Sequence, residues 1–370
     1  MSRLDRVRSG RTDRAATAPA GRPTRVSMPI GPVPARCLGV LLAAIVVIGF
    51  GAGCGSREGA AGGDQHGPAT ATLANQDPTP VGPAPTPTLP VTVHSFDGAD
   101  VTVTSADRIV AVDRYGTLAQ TVWALGLGSH LVGRSTSAAF PAVRQVPNVA
   151  GGNGSINVEA VAAQRPTVFL TDTTSATPTM RDQLRALGIT VVYFDPQRTI
   201  DGVGPQIQAV ADALGVHEQG VKLADRTRAE IAAATAAVPK QQPPLKIGFV
   251  YLRSTAITML AGPGSGADSL ITALGGVDAG TAAGLTEPFT TITSEAMIGA
   301  APDVLLVMTD GLKSVGGVDG LEKVPGVAQT PAGRNHRIVD MSDAVLLSFG
   351  PETGHVLAAL SKAIYSTQPA

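Results

Sequence analysis

From residue 91 onward the apolar positions follow two periods in turn. Val91–Phe96 and Val101–Thr104 alternate apolar and polar around Asp97-Gly98, which predicts a hairpin. Short apolar, β-branched runs follow at Arg108–Val112, Leu131–Gly133, Thr167–Leu170 and Thr190–Phe194, each the length of a buried strand. Between them, Thr117–Leu125 and Thr179–Leu187 repeat at helical spacing. Strand–helix alternation of this kind predicts βα units and parallel sheets. Ala-Leu-Gly recurs at 124–126, 186–188, 213–215 and 273–275, as expected of helices that end on a left-handed glycine. Val216 to Val238 reads as one long helix, ended by Pro243-Pro244. Strand and helix signals then resume at Ile247–Leu252, Asp268–Leu274 and Val304–Met308, with a last helix from about Pro351.

One pattern occurs twice. Asn157-Val158-Glu159-Ala160-Val161 is followed after four residues by Pro166 and an apolar run, and Thr293-Ser294-Glu295-Ala296-Met297 is followed after four by Pro302 and another. Each frame predicts an N-cap, a short helix, a proline turn and a buried strand. The copies flank the long helix. The predicted fold class is therefore α/β: two Rossmann-like lobes with central parallel sheets, 91–215 and 241–370, joined by one long linking helix, 216–240.

The preceding residues have a different character. Eight arginines between Arg3 and Arg36 precede an apolar run, Cys37 to Phe50, which is too short for a comfortable membrane span. Gly51-Ala52-Gly53-Cys54 then resembles a bacterial lipobox, with Gly51 in place of the usual Leu. This predicts a signal peptide over 1–53, lipidation at Cys54, and attachment to the outer face of the cell membrane. Cys37 and Cys54 are the chain's two cysteines, so the folded part has neither a thiol nor a disulfide. Residues 54–90 are rich in Pro and Thr and read as an extended, semi-rigid tether.

Arg108-Ile109-Val110-Ala111-Val112-Asp113, Leu131-Val132-Gly133-Arg134, the two Glu frames, and Gly262-Pro263-Gly264-Ser265-Gly266 with Leu274-Gly275-Gly276 resemble the helix-hinged (class III) substrate-binding lipoproteins of ABC importers. The resemblance spans roughly 91–370. It implies a ligand cleft between two rigid lobes, a monomer, and docking on an ABC permease through one surface Glu per lobe, here Glu159 and Glu295. A Glu in a helix's first turn also interacts favourably with the helix dipole, by ~0.3–1 kcal/mol.

Within that family the chain resembles the actinobacterial haemin-binding branch. The segments that carry this are Trp123–Gly128, Gly133-Arg134-Ser135-Thr136-Ser137, Thr171-Asp172 and Tyr251-Leu252-Arg253. The resemblance implies ferric haem as transported ligand, with Tyr251 as iron ligand and Arg253 as its support. Two residues apart on a strand, both side chains share a face. Tyrosinate is an established ligand of haem iron, and a guanidinium nearby favours the anion. Tyr115, Thr136, Ser137 and Asn153 are the first-lobe candidates. The branch usually supplies a His or Tyr just before the first Glu frame; Gly151 to Asn157 contains neither.

Other chemistry finds little support. Six histidines are scattered without metal-ligand spacing, and a net charge of −1 gives no basic field for nucleic acid. There is no P-loop, nucleophile elbow or zincin motif, so neither an enzyme nor a catalytic cofactor is expected. Gly262–Ala267 reads as a turn into a helix N-terminus, where a haem propionate could sit. A ferric siderophore, a corrinoid, or a haem chaperone outside transport are the alternatives.

Overall fold

The computed structural model describes residues 67–151 and 155–366. The signal segment, Cys54 and Asn153 lie outside them.

The first strand, β1 (Ala69–Ala71), falls within the stretch expected to be a tether. Residues 67–90 instead lie along the folded body. The Val81 amide donates to Ala124 O at 2.8 Å and the Thr88 amide to Gly215 O at 2.8 Å. The Thr79 amide donates to Glu352 and the Ala142 amide to Asp77. Arg226, on the linking helix, donates to Thr79 O at 2.7 Å. Proline lacks an amide donor, and the backbone groups that remain in this segment bond largely to the body.

The first lobe follows the expected alternation. β2 (Val91–His94) and β3 (Asp100–Val103) form the hairpin, turning at Gly98 with φ +84°. β4 (Ile109–Val112), β5 (Leu131–Arg134), β6 (Val168–Asp172) and β7 (Thr190–Phe194) make a fully parallel sheet in the order β5-β4-β6-β7. β4 and β6 are buried along their whole length, as strands covered on both faces must be.

The second lobe contains β8 (Lys246–Arg253), β9 (Ile257–Ala261), β10 (Val277–Asp278), β11 (Phe289–Thr291), β12 (Val304–Met308) and β13 (Ile338–Met341). Their order is β1-β13-β12-β8-β9-β11, with β10 beside the start of β8. β1, β13, β12, β8 and β10 run parallel, whereas β9 and β11 pair antiparallel. The antiparallel flank arises because the chain reverses directly after Arg253. Ser254 takes a left-handed φ of +52°, and Ile257 comes back opposite Arg253.

The linking helix is His217–Ala236. Gly220, Leu223, Ala224, Thr227, Ile231 and Ala234 form its buried stripe, packed on the helices Val203–Ala213 and Thr353–Tyr365. Burying a side chain such as Leu223 or Ile231 contributes ~1.5–3 kcal/mol. All four Ala-Leu-Gly glycines have the left-handed conformation, φ between +68° and +86°.

The two Glu frames correspond step by step. Asn157 caps Ala160 N–H, and Thr293 caps Ala296 N–H. The helices Val158–Ala163 and Ser294–Ala300 follow, each with its Glu in the first turn. Arg165 (φ +47°) and Ala301 (φ +45°) then occupy the left-handed region immediately before Pro166 and Pro302. Finally β6 pairs with β4 from Val168 opposite Ile109, and β12 pairs with β8 from Val304 opposite Ile247.

Candidate functional site

In open α/β sheets, ligands sit beyond the carboxyl ends of the strands. Tyr251 and Arg253 occupy that end of β8. Phe249, Tyr251 and Arg253 share one face of the strand, and exposure grows along it: Phe249 is fully buried, Tyr251 half-buried, and the Arg253 side chain 41 % exposed. Phe289, on β11, meets Phe249 and Tyr251 edge-on, at centroid distances of 6.3 and 6.2 Å. One side of the Tyr251 ring is thus braced by aromatic packing.

The Arg253 guanidinium lies 4.6 Å from the Tyr251 ring centroid. It hydrogen-bonds Leu252 O at 2.8 Å and Asp343 at 3.1 Å. The cation therefore rests on the ring face, held there by Asp343, and does not bond the hydroxyl. A cation on a phenol's face is attracted by the ring quadrupole, which fixes the orientation of the ring. Asp343 lies just past β13 and also accepts the Asp310 amide at 2.8 Å. Its position after a strand of this lobe was the one signal that could have marked it in the sequence.

The first-lobe candidates gather around a different arginine. Arg198 is buried; its guanidinium lies 5.2 Å from the Tyr115 ring centroid and pairs with Asp113 at 3.3 Å and Asp172 at 3.6 Å. Asp113 also accepts the amides of Tyr115, Thr117 and Leu118 at 3.0–3.1 Å, closing the helix Thr117–Val122 onto β4. Burial pushes the Asp113 carboxyl above its ordinary range; Arg198 opposes the shift and Asp172 adds to it. Burial likewise raises the Tyr115 phenol, against the pull of Arg114 and Arg198. Tyr115 is thus a largely buried phenol whose ring lies against the Arg198 guanidinium. Ser137 donates to Arg114 O at 2.6 Å, which ties the loop after β5 to the Tyr115 turn. Thr136 is exposed and accepts from Asn148 at 3.0 Å. Among the described residues, no hydrogen bond or ring contact joins this set to Tyr251.

The turn expected to attract a propionate is already filled. Asp268 accepts the Gly264 and Gly266 amides at 2.8 and 3.0 Å, so the protein's own carboxylate occupies that N-terminus. Among the described residues no cluster of His, Cys, Asp and Glu is arranged to hold a metal ion, and no helix is long and apolar enough to cross a membrane. Glu159 and Glu295 are both exposed.

Residues 110–345 match the family described as periplasmic binding protein, and the chain belongs to that family. It is an ABC-type substrate-binding protein. Among solved structures, the heme binding protein HmuT is 36 % identical with a TM-score of 0.78, and the match covers 82 % of this chain and 98 % of that one. Structures of HmuT with alanine in place of a Tyr, or of an Arg two residues further on, match similarly. The periplasmic heme-binding protein RhuT from Roseiflexus sp. RS-1 is 39 % identical with a TM-score of 0.66, over 70 % of this chain and 98 % of its own. By sequence, the uncharacterized ABC transporter substrate-binding lipoprotein YvrC of Bacillus subtilis is 25 % identical over 76 % of this chain and 87 % of its own length. The vitamin B12-binding protein of Yersinia pestis is 29 % identical over 38 % of this chain and 49 % of its own length.

Proposed function

We propose that this protein captures ferric haem outside the cell membrane and delivers it to the permease of an ABC importer. Tyr251 is the iron ligand, and Arg253 holds its ring. The observation that carries this reading is the Tyr-x-Arg pair at the carboxyl end of β8, with the guanidinium on the ring face. HmuT's replaced Tyr and Arg have the same spacing. Tyr115, Thr136, Ser137 and Asn153 supply the first-lobe contacts to haem, with the Tyr115 ring against the porphyrin. Glu159 and Glu295 dock the permease, one from each lobe. The chain enters the export path through a signal peptide over 1–53, is lipidated at Cys54, and works as a monomer. It carries its ligand and catalyses nothing.

The test is a visible-absorption titration of ferric haem into the purified protein beside Tyr251→Ala and Tyr251→Phe. A saturable one-to-one spectrum of tyrosinate ligation, lost in both variants, is expected. Retention of that spectrum in both variants would reject Tyr251 as ligand. The partial match to vitamin B12-binding proteins favours a corrinoid as the second reading. Cobalamin in the same titration decides it: saturable binding of cobalamin without binding of haem would select the corrinoid.

A further inference from the structure

The turn after β13 touches both lobes within two consecutive residues. Asp343 holds the second-lobe side, accepting from Arg253 at 3.1 Å and from the Asp310 amide at 2.8 Å. The carbonyl of the next residue, Ala344, accepts Gln120 Nε2 at 2.8 Å, from the first lobe. Further along, Ser348 O accepts the Thr117 hydroxyl, and a Cβ on Gly350 would come within 3.0 Å of Gln120 Oε1. Thr117 and Gln120 are both buried in the helix Thr117–Val122. Gln120 Oε1 has no hydrogen-bond partner among the described residues. The Gln120 amide is therefore held through its bond to Ala344.

Adjacent Cα atoms are joined by a planar peptide at ~3.8 Å, so Asp343 and Ala344 cannot shift independently. The Arg253–Asp343 pair is partly exposed, 41 % and 22 % by side chain. A pair of that kind is weakly held, and an anionic group arriving beside Tyr251 competes for the guanidinium at little cost. Whatever draws Arg253 away from Asp343 loosens the turn that carries the first lobe's bond.

We infer that the Asp343-Ala344 turn is a latch: Asp343 positions Arg253 on the Tyr251 ring, and through Gln120 the same turn ties occupancy of that site to the spacing of the two lobes. This rests on Tyr251 lying in the ligand site. Coupling of this form is reciprocal, so weakening the first-lobe bond must alter ligand affinity although Gln120 lies outside the Tyr251–Arg253–Asp343 group.

Two measurements test it on the intact protein. The first is a double-mutant cycle on the ferric haem dissociation constant, using Asp343→Ala, Gln120→Met and the double variant. Each single change is expected to alter the constant severalfold, and the double variant should depart from the product of the two by roughly threefold or more. The second needs no ligand: hydrogen exchange at the Asp310 amide. It should quicken in Gln120→Met, which does not touch Asp310, and stay slow in Asp343→Asn, which keeps the acceptor. Multiplicative effects on haem binding, or unchanged Asp310 exchange in Gln120→Met, overturn the latch. Failure of the unaltered protein to bind haem overturns the ligand reading instead, and the exchange measurement then decides the mechanical link by itself.

Discussion

Replacing Arg198 by Met should be among the most damaging single changes in the first lobe. The side chains of Arg198, Asp113 and Asp172 are 3 %, 0 % and 2 % exposed. The two carboxylates are not equally protected. Asp113 keeps three backbone amides when the arginine is lost. Asp172 Oδ1 keeps its bonds from Thr174 and Ser175, but Oδ2 has no hydrogen bond, and Arg198 at 3.6 Å is its charge partner. Removing one member of a buried ion pair costs about 3–5 kcal/mol, because the other is left uncompensated. Methionine roughly preserves the volume of the arginine stem, so most of this loss is electrostatic. The pH dependence follows from Asp113. Its carboxyl titrates higher in the folded chain than in the unfolded one, so the native state binds more protons across that interval and gains stability as pH falls through the raised value. Without the arginine the value rises further and the interval widens. Urea unfolding of both proteins at about pH 7.5 and about pH 5 should show a gap of about 4 kcal/mol at the higher pH that narrows at the lower. A gap below about 1 kcal/mol, or one that widens on acidification, would refute the argument.

Three further outcomes are expected. Gly215→Ala should destabilise by more than about 1 kcal/mol in urea, since φ is +68° and the new Cβ would lie 2.5 Å from Thr88 O; protease cleavage near Thr88 should quicken with it. Charge reversal at Glu159 and Glu295 should leave haem titration and thermal unfolding unchanged while ending haem-dependent growth through the importer, because both side chains are exposed. Asn157→Ala and Thr293→Ala should each cost about 1 kcal/mol by loss of an N-cap, read from urea midpoints.

The sequence revealed those features that rest on local chemistry. Strand runs, helix-ending glycines and the two Glu frames are written in residues a few positions apart, and the structure shows them in place. What it hid depends on contacts between distant segments. Residues 67–90 read as a tether because proline favours extended, unpartnered chain. Their docking uses backbone N–H and C=O groups, which every composition carries, so nothing in the residue types announced it. The reversal at Ser254 asked a serine to adopt a left-handed φ, and no glycine or asparagine marked it. Of the candidate site, the Tyr251–Arg253 pair was legible because it is local. Its brace, Asp343, lies 90 positions away. Arg198 was invisible for the same reason: its partners are Asp113, just past β4, and Asp172, at the end of β6, and no spacing links the three.

The docking of Ala69–Ala71 beside β13 also bears on how the molecule behaves when crowded. It leaves the second-lobe sheet bounded by β1 and β11, each three residues long, and by the two-residue β10 beside β8. In the first lobe, the outer side of β7 is met by Phe96 N and Ser95 Oγ at Tyr193, and that of β5 by Pro147 and Val149 at Arg134. Short or covered margins deny a neighbouring chain the row of free amides and carbonyls needed to extend a sheet. At high local concentration the protein is thereby kept from joining its neighbours strand to strand.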